Sequence, residues 1–557
     1  MDKKKAGGSR SSRRAKGGEG GAFAFSSEMI GRLMPYGTIE AVGQDAVLFE
    51  RGSREADFVI VLSGAVQLSG EKKSRLGRAG ITLIKGQFSG ELDLYSGRET
   101  LLNCRASARS TVLRIAPEAL RRLIHTELDI ADVITQCWMH RRTLLLESCA
   151  GGAIVFGAAM APDTTRLQQF LFRNNYPHRV LDPVSNGTAE LLLAGMDLPP
   201  NGLPVVFLSD NRILHNPSNE AVARALGISN VFDADALFDV AIVGAGPSGL
   251  ASAVYAASEG LRTIVIDGNA PGGQAGTSSR IENYLGFSNG VSGQELASAA
   301  EVQAQRLGAH LEISREIVRM EPDARIHSLV FADGQRVRAR TVIIATGARY
   351  RRLAIDGSER FERRSIHYAA TTVETARCRG KGALVIGAGN SAGQAALHLA
   401  ATAREVHLAV RGASLDATMS HYLVQRIRSN PRISVHLQTE LRRIVGEETL
   451  ETVVLERKGL GDVIECDVGD IFVMIGASPN TGWLGGTVVL DRNGFVCTGD
   501  DAGVIGARYM TSTPGVFAIG DVRHGSVKRV AAAVGEGSAV IADLHVYLGA
   551  LEPALAV

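Results

Sequence analysis

The stretch FDVAIVGAGPSGLASAVYAASEGLRTIVIDG, residues 238–268, decides the fold. An apolar run from Phe238 to Val243 reads as a buried strand. Gly244, Gly246 and Gly249 follow at GxGxxG spacing, with Pro247 and Ser248 between them. An alanine-rich helix then runs to about Gly260, and a second apolar strand, Thr263 to Ile266, ends at Asp267. Gly244 allows the tight turn, Gly246 lets a pyrophosphate approach the backbone, and Gly249 lets helix and strand pack closely. The helix N-terminus offers free N–H groups and a positive dipole end to phosphates. Asp267 stands where a carboxylate accepts a ribose hydroxyl. Strand, turn, helix and acid together predict a dinucleotide site.

The same unit recurs. Ala383 to Ile386 is a strand, Gly387, Gly389 and Ala392 continue the glycine pattern, Gln394 to about Thr402 is a helix, and Val406 to Val410 is the next strand. Two such units on one chain imply two dinucleotides. The tips of the second strands differ: the first ends in Asp267, the second in Arg411. A carboxylate there favours a free 2′-hydroxyl and an arginine accommodates a 2′-phosphate, so the second site is expected to take NADPH.

The 557 residues predict three or four domains. With 45% hydrophobic and 21% charged residues the chain has an ordinary globular composition, and a net charge of +2 gives no global argument for nucleic acid. The basic excess is local to residues 1–20, within a stretch, 1–28, read as a disordered tail. No secretory pattern and no apolar run of about 20 residues is present, so a cytoplasmic chain without a membrane span is expected. The six cysteines, Cys104, Cys137, Cys149, Cys378, Cys466 and Cys497, are scattered, with no CxxC and no metal-ligand spacing; no metal is expected.

Residues 29–150 begin with short strands separated by glycine turns and end in two helical runs, Pro117 to about His125 and Leu128 to about Glu147. The strand–SG–strand around Leu62 to Val66, followed by Phe88, Gly90, Glu91, Leu92 and Leu94, resembles the cyclic nucleotide-binding domain. The resemblance implies a β-roll in which Gly90 and Glu91 meet a ribose 2′-hydroxyl. Its phosphate-binding arginine falls at Thr100 in a gapless alignment, with Arg98 two residues early; a buried phosphate without a cation forfeits a charge-assisted pair. Cyclic nucleotide binding and a pure docking role both stay open. Residues 151–235 run strand, helix, strands, helix, with Leu203-Pro204 leading into a strand. This resembles the thioredoxin or glutaredoxin fold, but its CxxC position reads Ala161, Pro162, Asp163 and Thr164. Without a thiolate there is no nucleophile for disulfide exchange.

From residue 236 onward, GxGxxG, PGGQ, ENxxGF, ATG, GxGxSA, IGxxPNT and GVFAxGD occur in the order seen in low-molecular-weight thioredoxin reductases, and the body of the chain resembles that family. The resemblance implies an α/β architecture of two Rossmann-like domains: FAD in residues 236–350 and 483–557, NADPH in residues 351–482. It places Gly244, Gly246, Gly249 and Asp267 on the FAD pyrophosphate and ribose. Gly272, Gly273, Gln274 and Asn283 fall near the ribityl chain and ring, and Thr346 and Gly347 on the adenine side. Asp521 meets the ribityl or phosphate end, Lys528, Arg529 and Val530 border the ring, Gly476 and Gly520 are further cofactor-binding positions, and Gly387, Gly389, Asn390, Ser391, Ala392 and Arg411 meet NADPH. A homodimer is also implied.

The chain departs from the family at its chemistry. Where thioredoxin reductases carry CATC, this sequence has Ala369, Ala370, Thr371 and Thr372, with His367 just before them and Cys378, single, just after. No catalytic acid, base or nucleophile is assigned, although His367 is a candidate to face the flavin. The first expectation is an FAD-dependent NADPH oxidoreductase with a small-molecule or redox-protein acceptor. The alternatives are a thioredoxin-disulfide reductase acting on an external dithiol, and a nucleotide-sensing scaffold with structural FAD.

Overall fold

The computed structural model describes residues 23–70, 80–90, 92, 94, 98–148, 152–183, 203–208, 212–229, 235–278, 280–362, 364–368, 370, 375, 378–447, 449–459 and 461–551. The chain divides into two compact units, one ending at Gly151 and one from Gly152 to the end; Arg98 groups with the second.

In the first unit a short helix α1 (Ser27–Leu33) precedes seven strands: β1 (Thr38–Val42), β2 (Val47–Phe49), β3 (Phe58–Ser63), β4 (Ala65–Ser69), β5 (Ile81–Ile84), β6 (Asn103–Ala106) and β7 (Ser110–Ile115). They form two antiparallel sheets, ordered β1-β7-β3 and β2-β6-β4-β5. Helices α2 (Pro117–Thr126) and α3 (Leu128–Ser148) follow. The packed region starts earlier than the expected boundary at residue 29. Phe25 is buried, its ring stacks 4.4 Å from Phe88, and its N–H donates to the Gly86 carbonyl. An apolar ring next to a polar tail finds a core partner, and that extends the domain.

The second unit opens with β8 (Ala153–Phe156), α4 (Pro162–Arg173), β9 (His178–Leu181), β10 (Val205–Phe207), β11 (Ile213–His215) and α5 (Asn219–Ala225). The sheet order is β11-β10-β8-β9, with β8 and β9 parallel and the other pairs antiparallel. A cis peptide, Leu203-Pro204, leads into β10.

The sheet that carries the deciding stretch has β12 (Leu237–Val243) near its centre, then α6 (Pro247–Ser258) and β13 (Thr263–Asp267). It continues through α7 (Gly293–Arg306), β14 (His310–Ile313), β15 (Ile317–Glu321), β16 (His327–Phe331) and β17 (Arg336–Ile344). The order is β14-β13-β12-β17-β16-β15, and the C-terminal strand β28, residues Val516–Ala518, pairs with β17. Strands β12, β13, β14, β17 and β28 are mutually parallel. Val240 to Val243 are all buried, as a parallel strand covered on both faces requires.

The chain leaves this sheet through β18 (Ala348–Tyr350) and enters a second parallel sheet. Its elements are β19 (Ile366–His367), β20 (Gly382–Ile386), α8 (Asn390–Leu399), β21 (Glu405–Val410), α9 (His421–Arg428) and β22 (Ile433–Leu437). An antiparallel trio, β23 (Thr439–Val445), β24 (Thr452–Arg457) and β25 (Val463–Asp467), packs beside it, and β26 (Asp470–Val473) returns to give the order β19-β26-β20-β21-β22. Strand β27 (Ala477–Pro479) pairs antiparallel with β18 and leads the chain back, and α10 (Val530–Leu551) ends the described part. Helix α8 begins at Asn390, four residues before the expected Gln394. Gly389 is extended and serves as its N-cap, so the chain enters the helix directly from the glycine turn, as it does after Gly246.

Candidate functional site

The C-terminal ends of β12 and β17 open onto a cavity of about 970 Å³. The glycine turn after β12 forms its floor. Gly244 has φ +111°, and a side chain there would meet the Ala345 carbonyl at 2.3 Å. A Cβ on Gly249 would lie 1.9 Å from the Gly244 carbonyl oxygen. No side chain caps the N-terminus of α6, so its first-turn N–H groups face the cavity unmet by a capping side chain.

Asp267 organises the loop beside this turn. Its Oδ2 accepts from the Ala245 N–H at 2.9 Å, and its Oδ1 accepts from Asn269 and Ala270 at 2.9 and 3.1 Å. A carboxylate has about four acceptor positions, so one remains for a ribose hydroxyl. Across the cavity Thr346 and Asn480 bond reciprocally, Oγ1 to carbonyl at 2.9 Å and Nδ2 to carbonyl at 2.7 Å. Gln274 donates to the Ala348 carbonyl.

Asp521 and Lys528 border the other end, with Lys528 Nζ donating to the Asp521 carbonyl at 3.0 Å. Burial raises the Asp521 carboxyl above its usual range, against the pull of Lys528. The turn at Gly520 is held from α10: Glu536 accepts from the Gly520 N–H at 2.6 Å, from Arg523 Nη2 at 2.8 Å and from Ser526 Oγ at 2.9 Å. Burial pushes the Glu536 carboxyl up, but those donors win and hold it below the ordinary range.

The second nucleotide unit reaches the same cavity. Asn390, Ser391 and Gln394 of α8 line it together with Ser420 and Tyr422. Asn390 Oδ1 accepts from the Ser420 N–H at 2.7 Å. The Tyr422 hydroxyl is buried with no hydrogen-bond partner among the described residues, a donor left for a ligand. Five cations, Arg173, Arg315, Arg349, Lys528 and Arg529, line the space against the acids Asp267, Glu316 and Asp521. That excess suits an anionic pyrophosphate. Volume, uncapped helix start, glycine cradle and orphaned hydroxyl fit a dinucleotide of flavin size.

Of the residues expected from sequence, Gly244, Gly246, Pro247, Ser248, Asp267, Gly273, Gln274, Asn283, Thr346 and Gly347 line this cavity, as do Asn390, Ser391, Asp521, Lys528, Arg529 and Val530. Gly249, Gly272, Gly387, Gly389, Ala392, Arg411, Gly476 and Gly520 do not line it; they shape its turns or lie outside it. Arg411 is exposed directly after β21, and among the described residues none holds its guanidinium.

Other candidates sit elsewhere. His367 is buried within the second parallel sheet, its Nε2 2.8 Å from Asp470 Oδ1 and its ring 5.0 Å from that of Phe472. It does not line the cavity; a buried carboxylate partner and an aromatic neighbour hold it within the sheet. Arg98 pairs with Glu301 of α7 at 3.0 Å, both buried, and is committed to that carboxylate. Thr100 is buried and donates to the Glu50 carbonyl at 3.1 Å. Gly90 lies in a loop held by α3, where Arg141 donates to the carbonyls of Gly90 and Phe88 and Trp138 Nε1 to that of Ser89. Glu91, Ala369, Thr371 and Thr372 lie outside the described residues.

Sequence reasoning misses Arg173 at the end of α4. Its Nη2 donates to the Gly273 carbonyl at 2.9 Å, while Asn174 Nδ2 donates to that of Asn269 at 3.2 Å. Arg173 and Asn174 thus hold the loop after β13. Nothing local in the sequence marks this, because the contact joins residues about a hundred positions apart.

Residues 238–537 match the pyridine nucleotide-disulphide oxidoreductase family. The chain belongs to that family. Residues 39–127 match the cyclic nucleotide-binding domain. Among curated relatives, NADPH-dependent thioredoxin reductase 3 of Arabidopsis thaliana is 33% identical over 56% of this chain, which spans 58% of that protein. The thioredoxin reductase of Treponema pallidum is 33% identical over 57% of this chain and 98% of its own. The bifunctional thioredoxin reductase/thioredoxin of Mycobacterium leprae is 32% identical over 56% of this chain and 66% of its own. Among solved structures, Lactococcus lactis thioredoxin reductase in its FR conformation superposes with a TM-score of 0.52 at 28% identity, covering 56% of this chain and 98% of that one. T. acidophilum thioredoxin reductase superposes with a TM-score of 0.52 at 28% identity, covering 57% and 99%. The cyclic nucleotide-binding match thus lies ahead of the oxidoreductase match in the chain. Among the described residues no helix is long and apolar enough to cross a membrane.

Proposed function

We propose that the protein is an FAD-dependent NADPH oxidoreductase that passes electrons onward without a disulfide relay of its own. The observation that carries this is one cavity lined both by the first nucleotide unit (Gly246, Asp267, Asp521) and by the second (Asn390, Ser391, Tyr422). A flavin and a nicotinamide held by these two sets would share one space. When bound, the flavin supplies the two-electron chemistry. The first-turn N–H groups of α6 would hold the pyrophosphate, and Asp267 would take the ribose. Asp521 and Lys528 border the ring end, and Gln274 and Thr346 close the side against water. Arg411 selects the 2′-phosphate of NADPH.

The cysteines support the same reading. Among the described residues Cys104, Cys137, Cys378, Cys466 and Cys497 are each buried, and none lines the cavity. With Ala369 and Thr372 at the two relay positions this chain supplies no thiol pair there, so an acceptor would have to meet the flavin itself. Ferredoxin-type proteins, quinones and dioxygen are the candidate classes.

We read residues 236–350 with 483–557 as the flavin domain and 351–482 as the NADPH domain. The strand order of β8 to β11 favours reading 151–235 as a thioredoxin-like segment that has lost its thiols and serves to brace the flavin loop through Arg173 and Asn174. The N-terminal domain is read as a docking or regulatory module of a homodimer; the inward turn of Thr100 and the commitment of Arg98 to Glu301 weigh against a cyclic phosphate there.

The test is steady-state NADPH oxidation by the full FAD-loaded chain against separate acceptors: thioredoxin with a disulfide, a ferredoxin, a quinone and dioxygen. Turnover with a non-disulfide acceptor supports the proposal. Turnover only with thioredoxin would favour the thioredoxin-disulfide reductase reading that the names of the relatives suggest.

A further inference from the structure

A cluster in the NADPH domain, none of whose members lines the cavity, brings His407, His436 and Cys466 together. His407 lies on β21, His436 on β22 and Cys466 on β25. Along β21, Val406, Leu408 and Val410 pack into the core beneath α8 and α9. Glu405 and His407 alternate onto the opposite face, towards the antiparallel trio β23–β25, as strand geometry dictates. Cys466 lies in the apolar layer between that trio and the parallel sheet, with Ala409, Ile444 and Val453. The donor atoms of the three residues all lie within 4.8 Å of one another. His407 Nδ1 is 3.1 Å from His436 Nε2, and the rings stand 5.3 Å apart at 33°.

We propose that His407, His436 and Cys466 form a three-ligand site for a thiophilic divalent cation of the zinc class. Zinc binds imidazole nitrogen at about 2.0–2.1 Å and thiolate at about 2.3 Å, which in a tetrahedron sets donors about 3.3–3.8 Å apart. The two nitrogens, 3.1 Å apart, need to open by only a few tenths of an ångström, and the sulfur lies within 4.8 Å of both. Two imidazoles and one thiolate match the borderline-soft character of that ion. The Glu405 carboxylate, 3.7 Å from His407 Nε2, stands on the side of that ring away from His436 and is an orienting partner for it.

The protonation states agree with this donor set. Burial lowers the pKa of His407, with Glu405 pulling against it, and burial together with the neighbouring ring lowers that of His436, so both imidazoles are neutral ligands near pH 7. Burial raises the Cys466 thiol, and Glu405 adds to the rise. Ion binding therefore expels the thiol proton to solvent as the metal–sulfur bond forms, while each neutral imidazole keeps its one proton on the nitrogen that does not coordinate. The ion would clip β22 and the antiparallel trio to β21, the strand that ends just before Arg411.

The spacing explains why the sequence shows no metal motif. The histidines are 29 residues apart, and the cysteine comes from a third strand. Only the packing of two sheets brings them together.

The experiment uses the full FAD-loaded chain, stripped with a chelator, dialysed against buffered Zn²⁺ and assayed for metal by mass spectrometry. Cobalt(II) is used in parallel, with the flavin spectrum subtracted, to look for a thiolate-to-metal charge-transfer band. One zinc per chain and a cobalt–thiolate band are expected. Cys466→Ser abolishes the band. Cys466→Ser and His436→Gln each weaken zinc binding on the order of a hundredfold, whereas the exposed control His421→Gln leaves it unchanged. His436 is only partly buried, so His436→Gln keeps the test open if Cys466→Ser fails to fold. Absence of stoichiometric zinc in the native chain, or equal zinc in the native chain and in both ligand variants, overturns the proposal. Cofactor content is read from the same samples, so loss of flavin is distinguished from loss of zinc.

Discussion

Replacing Arg411 with glutamine tests the nucleotide reading at a position where little else changes. The guanidinium is exposed, directly follows β21, and has no partner among the described residues. Its loss therefore leaves no cavity and no orphaned carboxylate, and the fold and the flavin site are expected to stand. What is lost is a charge-assisted contact to the 2′-phosphate. Hydrogen bonds to charged groups contribute about 1.5–3 kcal/mol, and solvent around an exposed side chain places this one near the lower end, about 1.5–2 kcal/mol. At about 1.4 kcal/mol per factor of ten, that is roughly a 10- to 30-fold rise in KM for NADPH. NADH carries no 2′-phosphate, so its KM should move less than about twofold. The assay is flavin reduction by stopped flow with each nucleotide over a concentration series, the limiting rate being separated from the apparent affinity. An equal change for both nucleotides, or no change for either, would refute the assignment of Arg411 to the 2′-phosphate. A fall in the limiting rate with unchanged affinity would place the effect in the positioning of the nicotinamide instead.

Glu536→Gln should loosen the flavin turn, because it removes the charge that receives Gly520 N–H, Arg523 and Ser526. We expect a loss of about 2–3 kcal/mol, read as a lower thermal midpoint and easier release of FAD in dialysis. The native Glu536 carboxyl is held below its unfolded value, so its contribution is full at neutral pH and fades as pH falls through the folded-state pKa. The stability gap between native and variant should therefore narrow on acidification; a gap that widens would contradict the assignment. Phe25→Ala removes a buried ring stacked on Phe88 and should cost about 3 kcal/mol in the N-terminal unit, with Phe25→Leu costing less, measured by chemical denaturation with Trp138 fluorescence as the local probe. Cyclic AMP or cyclic GMP should leave the NADPH oxidation rate and the calorimetric baseline unchanged, since Thr100 is turned to the Glu50 carbonyl and Arg98 is paired with Glu301; saturable heat would restore the nucleotide-sensing reading.

The parts legible in the sequence are those whose physics is local. The β12–α6–β13 unit announces itself because a doubly buried parallel strand must be apolar throughout and the turn after it tolerates only glycine at Gly244 and Gly249. The second copy is equally plain at Gly387, although its helix begins earlier than the apolar pattern suggests, since a glycine N-cap leaves no side-chain signature. The parts that are not legible depend on distant contacts. Arg173 reaches the flavin loop across about a hundred residues, and His367 is claimed by Asp470, 103 positions away. Phe25 reads as a tail residue because only its stacking on Phe88, far along the chain, marks it as core. The trio His407, His436 and Cys466 is assembled from three strands of two sheets, so no short spacing encodes it.

The central claim is a flavin that NADPH reduces and no thiol pair shares. Its most direct test is an anaerobic titration of the purified, FAD-loaded protein with NADPH, counting equivalents to full bleaching of the flavin. A flavin alone accepts two electrons, and a flavin coupled to a redox disulfide accepts four. The account predicts an end point at one NADPH per FAD, with no free thiols gained. An end point at two equivalents with a matching rise in thiols, or no bleaching by NADPH at all, would contradict it.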